Sequence, residues 1–262
     1  MPLLVGTSGW QYQDWRGAFY PEGMPAARWL EYYATQFGAV ENNGTFYRLA
    51  SAATFRQWHD RTPAQFVMAI KASRYLTHIR RLRDPAEPVE RLLTSAAGLG
   101  DRLGPVLLQL PPNLPADPPV LSACLDEFAK RRKQRHGSVR VCVEFRHSSW
   151  LTDEVRAILA SHDAALCWSD RRARPLGPLW RTAGWGYLRF HEGAARNWPH
   201  YGQQSLRTWM QRIAEAFSPG DDVYAFFNND QHAAAPADAT ALAAIAGRAD
   251  WPVPGGSPVP SR

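Results

Sequence analysis

The chain has 262 residues and a formal net charge of +6, from 30 Lys plus Arg against 24 Asp plus Glu. No stretch approaches the roughly 20 apolar residues that span a bilayer, and the N-terminus lacks the pattern of a signal peptide, so we expect a cytoplasmic protein without membrane contact. The three cysteines form no Cys-x-x-Cys pair, which is typical of reduced, buried thiols. The positive charge favours anionic partners and leaves nucleic acid among them.

Short apolar segments alternate along the chain with longer segments of helical periodicity. Strands are predicted at residues 3–9, 39–43, 66–72, 105–111, 139–145, 164–170, 186–191 and 222–229. Helices are predicted at residues 25–37, 51–60, 86–99, 119–133, 152–161, 203–217 and 236–247. Ser51 and the Thr152-Asp-Glu sequence are typical of helix N-termini. The Pro- and Gly-rich segment 171–185 instead predicts a loop, a lid or an omitted helix.

Eight strand–helix units in one chain of this length predict a single α/β domain, a (β/α)8 barrel of TIM type, over residues 1–250. An open doubly wound sheet is the alternative, but no Gly-x-Gly-x-x-Gly follows the first strand. Residues 251–262 are rich in Pro, Gly and Ser, and we expect a disordered tail there.

The alternation of side chains along each strand predicts which residues face the barrel axis. Apolar residues on one face of each strand identify the helix side, and the opposite face carries polar residues near the carboxyl end. The inward polar set is Glu41, Asn43, Lys71, Gln109, Glu144, Arg146, Arg189, His191 and Asn228. Because barrel active sites assemble at the carboxyl ends of the strands, we expect these side chains to converge there.

Lys71 is unusual because only three of the 30 basic residues are lysines, and the other two lie in a basic run at 130–137. It could form a salt bridge to Glu41 or Glu144 that closes the top of the barrel. It could also bind an anion, or form a Schiff base if burial and nearby arginines lower its pKa. Only the Schiff base requires lysine rather than arginine.

Two glutamates and two histidines are the candidates for acid–base chemistry. Glu41 and Glu144 could move a proton if one is protonated and the other ionised, or could simply neutralise nearby cations. His191 and His78 are general acid–base candidates, although a lone histidine is more often a packing residue. A metal site from Glu41, Glu144, Asp170 and His191 lacks any metal-binding spacing, so we expect neither a metal nor a cofactor.

Further residues are candidates for substrate binding at the barrel mouth. Asn228 and Asp230 end the last strand and could hold a hydroxyl or amide group, or form a turn. An aromatic segment after the first strand could stack on a sugar or a base, or cover the mouth. Its members are Trp10, Tyr12, Trp15, Phe19 and Tyr20.

Seven ordered blocks of this sequence resemble the DUF72, or YecE-like, family. They are "GTSGW" (6–10), "VENNGTFYR" (40–48), "FVMAIKASRYLTH" (66–78), "LGPVLLQLPP" (103–112), "EFRHSSW" (144–150), "YLRFH" (187–191) and "VYAFFNND" (223–230). The resemblance implies a TIM-type barrel. It implies little chemistry, because the family has no established activity, although nucleic-acid binding has been suggested by analogy with barrel endonucleases.

The family's recurrent polar positions match residues of this sequence one by one. They are Glu41, Asn43, Lys71, His78, Gln109, Glu144, Arg146, Trp150, Arg189, His191, Asn228 and Asp230. This chain departs from the family pattern at Asn42, which takes an outward apolar position, and at Gly44.

Three functions are consistent with these residues. The first is an enzyme acting on a small anionic or sugar-containing substrate, with Lys71 and arginines holding charge and Glu41 or Glu144 moving a proton; hydrolase, lyase and isomerase chemistry all fit. The second is a nucleic-acid-binding or nucleic-acid-processing barrel. The third is a barrel that binds a ligand without turnover.

Overall fold

The computed structural model describes residues 3–134 and 139–255, apart from the side chains of residues 132–134. The strands belong to two sheets of five, with the orders β1-β10-β9-β7-β8 and β2-β3-β4-β5-β6. Their bounds are β1 Leu3–Thr7, β2 Ala39–Asn42, β3 Val67–Lys71, β4 Leu103–Gln109, β5 Val141–Glu144, β6 Ala165–Leu166, β7 Trp168–Arg171, β8 Arg174–Pro175, β9 Gly186–Phe190 and β10 Val223–Phe227.

Eight α-helices connect the strands within the described part of the chain. They are α1 Trp29–Gln36, α2 Gly44–Tyr47, α3 Ala52–Asp60, α4 Ala86–Ala96, α5 Pro118–Gln134, α6 Asp153–Ser161, α7 Gln203–Ala216 and α8 Ala234–Arg248. The two predicted caps are confirmed, since Ser51 accepts a hydrogen bond from the Thr54 amide and Thr152 accepts one from the Val155 amide. A π-helix, Tyr75–Ile79, follows β3.

The predicted (β/α)8 barrel of TIM type is the observed architecture, and its two sheets are joined at two seams. At the first seam the sixth predicted strand is divided: β6 pairs with β5, whereas β7 pairs with β9. Cys167 lies between the two parts, and its amide donates to the Val143 carbonyl. One strand therefore leaves the first sheet and continues in the second.

The second seam lies between β1 and β2. The Tyr33 hydroxyl accepts from the Thr7 amide of β1 at 2.8 Å and donates to the Ala39 carbonyl of β2 at 3.0 Å. The tyrosine side chain therefore bridges the two strands in place of direct backbone hydrogen bonds. Gly6 allows this close approach, because a Cβ there would lie 1.9 Å from the Ala39 carbonyl oxygen.

The core has two layers separated by the strands. Inward-facing residues form a small cluster on the barrel axis that includes Leu4, Ala69, Leu107, Cys142 and Phe226. The opposite faces of the strands pack against the helices in a much larger cluster. The inward register predicted for the strands is confirmed, and in the sixth predicted strand Cys167 faces inward. This register places the polar residues above the inner layer at the carboxyl ends.

The segments outside the regular repeat also take defined positions. Residues 171–185 contain only the short strand β8, which pairs antiparallel with β7, and no helix. Trp251 is buried and the Pro252 carbonyl accepts from the Leu3 amide, so the first residues of the predicted disordered tail pack on the barrel. Residues 256–262 lie outside the described residues. None of the described helices is long and apolar enough to cross a membrane.

Candidate functional site at the carboxyl ends of the strands

A buried arginine on β9 links two buried glutamates from different strands. Arg189 donates from Nε and Nη2 to the carboxylate of Glu41, with the Nη2 bond at 2.9 Å, and from Nη1 to Glu144 Oε2 at 2.6 Å. All three side chains are at most 2% exposed. We call Glu41, Arg189 and Glu144 the Arg189 network. Each nitrogen of the guanidinium has a carboxylate acceptor, which is how a buried arginine offsets its desolvation.

Glu41 accepts additional hydrogen bonds from neutral donors. Ser8 Oγ donates to Oε1 at 2.8 Å and the Tyr187 hydroxyl donates to Oε2 at 2.7 Å. Burial alone would raise the pKa of Glu41, but Arg189 and these hydrogen bonds hold it below its usual value. Glu41 is therefore an ionised acceptor whose lone pairs are occupied.

Glu144 is equally surrounded. Gln109 Nε2 donates to Oε2, while Arg146 and His191 Nε2 contact Oε1 at 2.9 and 3.2 Å. Burial opposes ionisation of Glu144, but Arg189, His191 and Arg146 hold its pKa well below the usual range. Both carboxylates are ionised and fully hydrogen-bonded in this structure, and proton transfer by Glu41 or Glu144 stays a prediction.

Lys71, at the end of β3, has a different environment. Its Nζ donates to Gln109 Oε1 at 2.7 Å and lies 4.4 Å from the centre of the Phe46 ring. No carboxylate contacts Nζ among the described residues, so the salt bridge to Glu41 or Glu144 is not formed. Burial, followed by the charge of Arg189, lowers the pKa of Lys71 to about 8. Roughly a quarter of the amine is then unprotonated at pH 7.5.

His78 lies on the π-helix after β3, against the same phenyl ring as Lys71. Its ring meets Phe46 edge-on, with 5.0 Å between the ring centres. The Thr77 hydroxyl donates to the Ser73 carbonyl and therefore accepts from His78 Nδ1–H, which leaves Nε2 as an unprotonated acceptor. Burial, then the charges of Lys71 and Arg74, lower the pKa of His78, so it is neutral at pH 7.

His191 connects the Arg189 network to the last strand. Asn228 Nδ2 donates to His191 Nδ1 at 3.1 Å, so Nε2 carries the proton that is donated to Glu144. Burial lowers the pKa of His191 although Glu144 opposes the shift. Both ring nitrogens are occupied, and His191 is a positioned, neutral donor.

Three further predicted binding residues, Asn43, Asp230 and Trp150, lie in different environments. Asn43 lies at the mouth, with Nδ2 3.5 Å from the Ser8 carbonyl oxygen. Asp230 is half-buried, its carbonyl accepts from the Trp15 indole, and burial raises the pKa of its carboxyl group. Trp150 does not join the site: it stacks on Phe145 in the outer core. The prediction for Trp150 is corrected because the outer layer buries its ring.

The aromatic segment after β1 is mostly a packing element. Trp15 and Tyr20 are fully buried, and Tyr20 stacks on Trp29 of α1 with 4.6 Å between ring centres. Trp10 is 5% exposed and packs edge-on against Trp58 of α3. Trp15 and Tyr20 are therefore packing residues, whereas Trp10 also lines a cleft at the carboxyl ends of β1 and β2.

Among the described residues, no three His, Cys, Asp or Glu side chains form a group that could hold a metal ion. Of the four residues considered for one, Glu41 and Glu144 bind Arg189, and His191 binds Asn228 and Glu144. Asp170 belongs to β7, and its carboxylate accepts hydrogen bonds from the His191 amide and the Tyr201 hydroxyl. Burial raises its pKa to about 7.

Three residues of the site were not among the predicted site residues. Ser8 and Tyr187 hold Glu41, and Phe46 supports Lys71 and His78. The inward register of Tyr187, two residues before Arg189, and the position of Ser8 directly after β1 are the sequence signals that could have identified two of them. Phe46 lies in the family-like block at 40–48, but its apolar ring gave no chemical signal.

The fold and this network define a TIM-type barrel with a buried ionic cluster and an adjacent, weakly bonded lysine at the carboxyl ends of its strands. The chain belongs to the family described as protein of unknown function DUF72, whose model matches residues 4–261. A curated relative, the UPF0759 protein YunF of Bacillus subtilis (strain 168), is 22% identical over 87% of this chain and 89% of its own length.

Solved structures agree with this assignment. A DUF72 family protein from Thermotoga maritima MSB8 is 26% identical, with a TM-score of 0.76 over 95% of this chain and 100% of that one. A DUF72 family protein from Enterococcus faecalis V583 has a TM-score of 0.73 at 15% identity over 99% of each chain. A xylose isomerase-like TIM barrel/4-hydroxyphenylpyruvate dioxygenase fusion protein has a TM-score of 0.52 at 14% identity, over 89% of this chain and 44% of that one. The last two support the fold alone.

Proposed function

We propose that the protein is an enzyme that acts on a small anionic carbonyl compound, with Lys71 as the nucleophilic amine. The observation that carries the proposal is the state of Lys71: a buried amine with a pKa of about 8 and a single neutral hydrogen-bond partner. A structural lysine would be expected to pair with a carboxylate, and two carboxylates lie in the same site. A reactive lysine needs a lowered pKa, so that part of the amine is unprotonated, and a nitrogen that is not held by a carboxylate.

The chemistry follows from that amine. Nζ attacks the carbonyl carbon, a C–N bond forms, and the carbonyl oxygen leaves as water with two protons that come from the amine nitrogen. His78 Nε2 is the acceptor suited to carry such a proton, because it is neutral and unbonded among the described residues. The resulting imine withdraws electrons from a neighbouring C–C or C–H bond, which is lyase or isomerase chemistry.

The other side chains would bind rather than react. Arg146 is 41% exposed and donates to Glu144 from Nε and Nη2, so its remaining nitrogen can face an anion at the mouth. The Arg189 network supplies a fixed floor with two carboxylates and one guanidinium, and Arg146 adds a second positive charge at Glu144. Burial and Arg189 lower the pKa of Lys71, whereas Glu41 and Glu144 raise it.

The test is imine trapping with glyoxylate, an anionic aldehyde, and cyanoborohydride, followed by peptide mapping. The chain is suited to it because it has only three lysines. We expect Lys71 to be modified first at pH 7.5, while Lys130, which is exposed and paired with Glu127, has a raised pKa and reacts more slowly. Lys71→Arg should remove the fast product and Lys130→Arg should not. Equal labelling of Lys71 and Lys130 in the wild type would refute the proposal.

Nucleic-acid binding is a second candidate, supported by a different observation. Five large apolar side chains are exposed among the described residues. Tyr47 ends α2 after β2, Tyr75 and Ile79 begin and end the π-helix after β3, and Leu176 and Trp198 lie in the segments after β8 and β9. Arginines flank several of them, including Arg74, Arg80 and Arg196. Aromatic rings among arginines suit single-stranded nucleic acid.

This candidate predicts binding of a single-stranded oligonucleotide that weakens steeply between about 50 and 200 mM salt, because phosphate contacts release counterions. Fluorescence anisotropy with the wild type, Tyr47→Ala and Trp198→Ala would measure it. Loss of binding in both variants supports the candidate. Binding that is absent at low salt eliminates it.

A further inference from the structure

A cleft opens at the carboxyl ends of β1 and β2, beside the Arg189 network. Its volume is about 320 Å³. Its lining residues include Asn43, Thr45, Arg48, Ala50 and Trp58. We call it the inner cleft.

A second cleft, of about 580 Å³, lies farther out against α3 and α4. Arg48, Ala50 and Trp58 line both clefts, and the outer one adds Arg91 of α4. The two clefts therefore adjoin each other, and together they extend from the barrel mouth to the helix layer. We call the two clefts together the Arg48 groove.

The lining of the Arg48 groove has a single sign of charge. It contains two arginines and no Asp or Glu. No side-chain hydrogen bond or ion pair of Arg48 is found among the described residues, and Arg91 makes one 3.8 Å contact with exposed Glu87. Hydroxyl groups of Ser51, Thr54 and Ser95 line the same walls.

This combination suits an anion with several oxygens. Guanidinium groups match phosphate geometry through paired N–H donors, and hydroxyl groups add neutral donors. A neutral or cationic ligand would leave Arg48 unpaired in the groove. The lining thus favours a phosphate or diphosphate group over an apolar ligand.

The groove adjoins the strand that carries Lys71. Thr45, which lines the inner cleft, donates from Oγ1 to the Lys71 carbonyl oxygen at 2.7 Å. One side chain, Thr45, therefore separates the inner cleft from the backbone of Lys71. We propose that the Arg48 groove binds the phosphate or diphosphate part of the substrate whose carbonyl carbon reacts with Lys71. The link to Lys71 rests on the proposed function, whereas anion binding in the groove does not.

The first measurement is calorimetric titration of the full chain with pyrophosphate at low salt. We expect binding that weakens about tenfold in Arg48→Met and in Arg91→Met, the effect of losing one charge-assisted contact. Arg207→Met, which removes an exposed arginine of α7, is the matched control and should bind as the wild type does. All three substituted residues are exposed or line the groove, and circular dichroism checks that each variant is folded.

The second measurement compares trapping of glyceraldehyde 3-phosphate and glyceraldehyde on Lys71. We expect a preference for the phosphorylated aldehyde that Arg48→Met abolishes and Arg207→Met retains. Pyrophosphate binding that depends on Arg48 without any trapping at Lys71 would support the groove and refute the proposed function. Trapping at Lys71 with pyrophosphate binding unchanged in Arg48→Met would overturn the groove and leave the proposed function standing.

Discussion

Arg189 and Lys71 are cations buried in the same barrel mouth, yet their surroundings differ. Arg189 has a carboxylate acceptor for each guanidinium nitrogen, whereas Lys71 has one neutral amide and a phenyl ring. Burial lowers the pKa of Lys71, but the two glutamates raise that of Arg189 well above its usual value despite burial. The difference teaches that two buried cations in one mouth can have opposite pKa shifts, because only one of them has carboxylate partners. Under the proposed function, Lys71 is the reactive amine.

The largest predicted effect is the loss of unfolding free energy on replacing Arg189, whose guanidinium nitrogens all have carboxylate acceptors. Arg189→Met would leave Glu41 and Glu144 buried without their shared cation, which costs about 3–5 kcal/mol of unfolding free energy. Urea denaturation at pH 7 would measure the loss. The exposed-site variant Arg207→Met should stay within about 0.5 kcal/mol of the wild type. A loss below about 1 kcal/mol in Arg189→Met would mean that the network is not the main electrostatic support of the mouth.

The second prediction concerns acid. The pKa values of Glu41 and Glu144 are lower in the folded chain than in the unfolded chain, so their stabilisation is present above the unfolded pKa of roughly 4.3 and is lost as pH falls through the folded values. Unfolding free energy should therefore decline below about pH 5. Denaturation at a series of pH values should give a shallower decline in Glu144→Gln. An equally steep decline in that variant would assign the acid sensitivity to other carboxylates.

The third prediction concerns alkaline pH and has the same sign, because folding also lowers the pKa of Lys71. Because its folded pKa is about 8 against 10.5 for the free side chain, the unfolded chain binds more protons between these values, and stability should rise with pH across that window. Lys71→Met should remove this rise with pH. It should also increase the unfolding free energy at pH 7 by about 1 kcal/mol, because it removes a buried cation that has no carboxylate partner. The measurement is again urea denaturation, with Lys130→Met as the control. If Lys71→Met lowered the unfolding free energy at pH 7, Lys71 would stabilise the fold as Arg189 does, and the contrast between the two cations would be wrong.

The smallest predicted effect is the change in the pKa of Lys71 when Gln109 is replaced. Its amide holds Lys71 Nζ on one side and Glu144 on the other. Gln109→Leu should lower the pKa of Lys71 further, by about one unit or less, because the charged amine loses its acceptor. The pH midpoint of Lys71 labelling by an amine reagent measures it. A midpoint that moves upward would show that Gln109 does not support the charged form.

Part of the site could be predicted from the sequence and part could not. Side-chain alternation correctly placed Lys71, Arg189 and His191 on the barrel axis, because a strand's period of two is a local property. The same reasoning could not show that Glu41 and Glu144 share one guanidinium, since that depends on distances across the barrel.

The aromatic residues show the same limit. Trp10 was a candidate as part of the aromatic segment after β1, and Trp150 was a candidate through the family resemblance. Packing against Trp58 and Phe145 fixes where their rings lie. Aromatic rings are equally suited to cores and to binding sites. Only the neighbours supplied by distant segments distinguish the two.

The sequence by itself determined the (β/α)8 class, the order of the elements and the inward register, because these follow from periodicity and turn chemistry along the chain. The tertiary structure alone decided the two seams at Cys167 and Tyr33, the saturation of the glutamates and the isolation of Lys71 from them. The physical reason is that hydrogen-bond partners and desolvation come from residues far apart in the chain, so pKa and reactivity are properties of the assembled mouth.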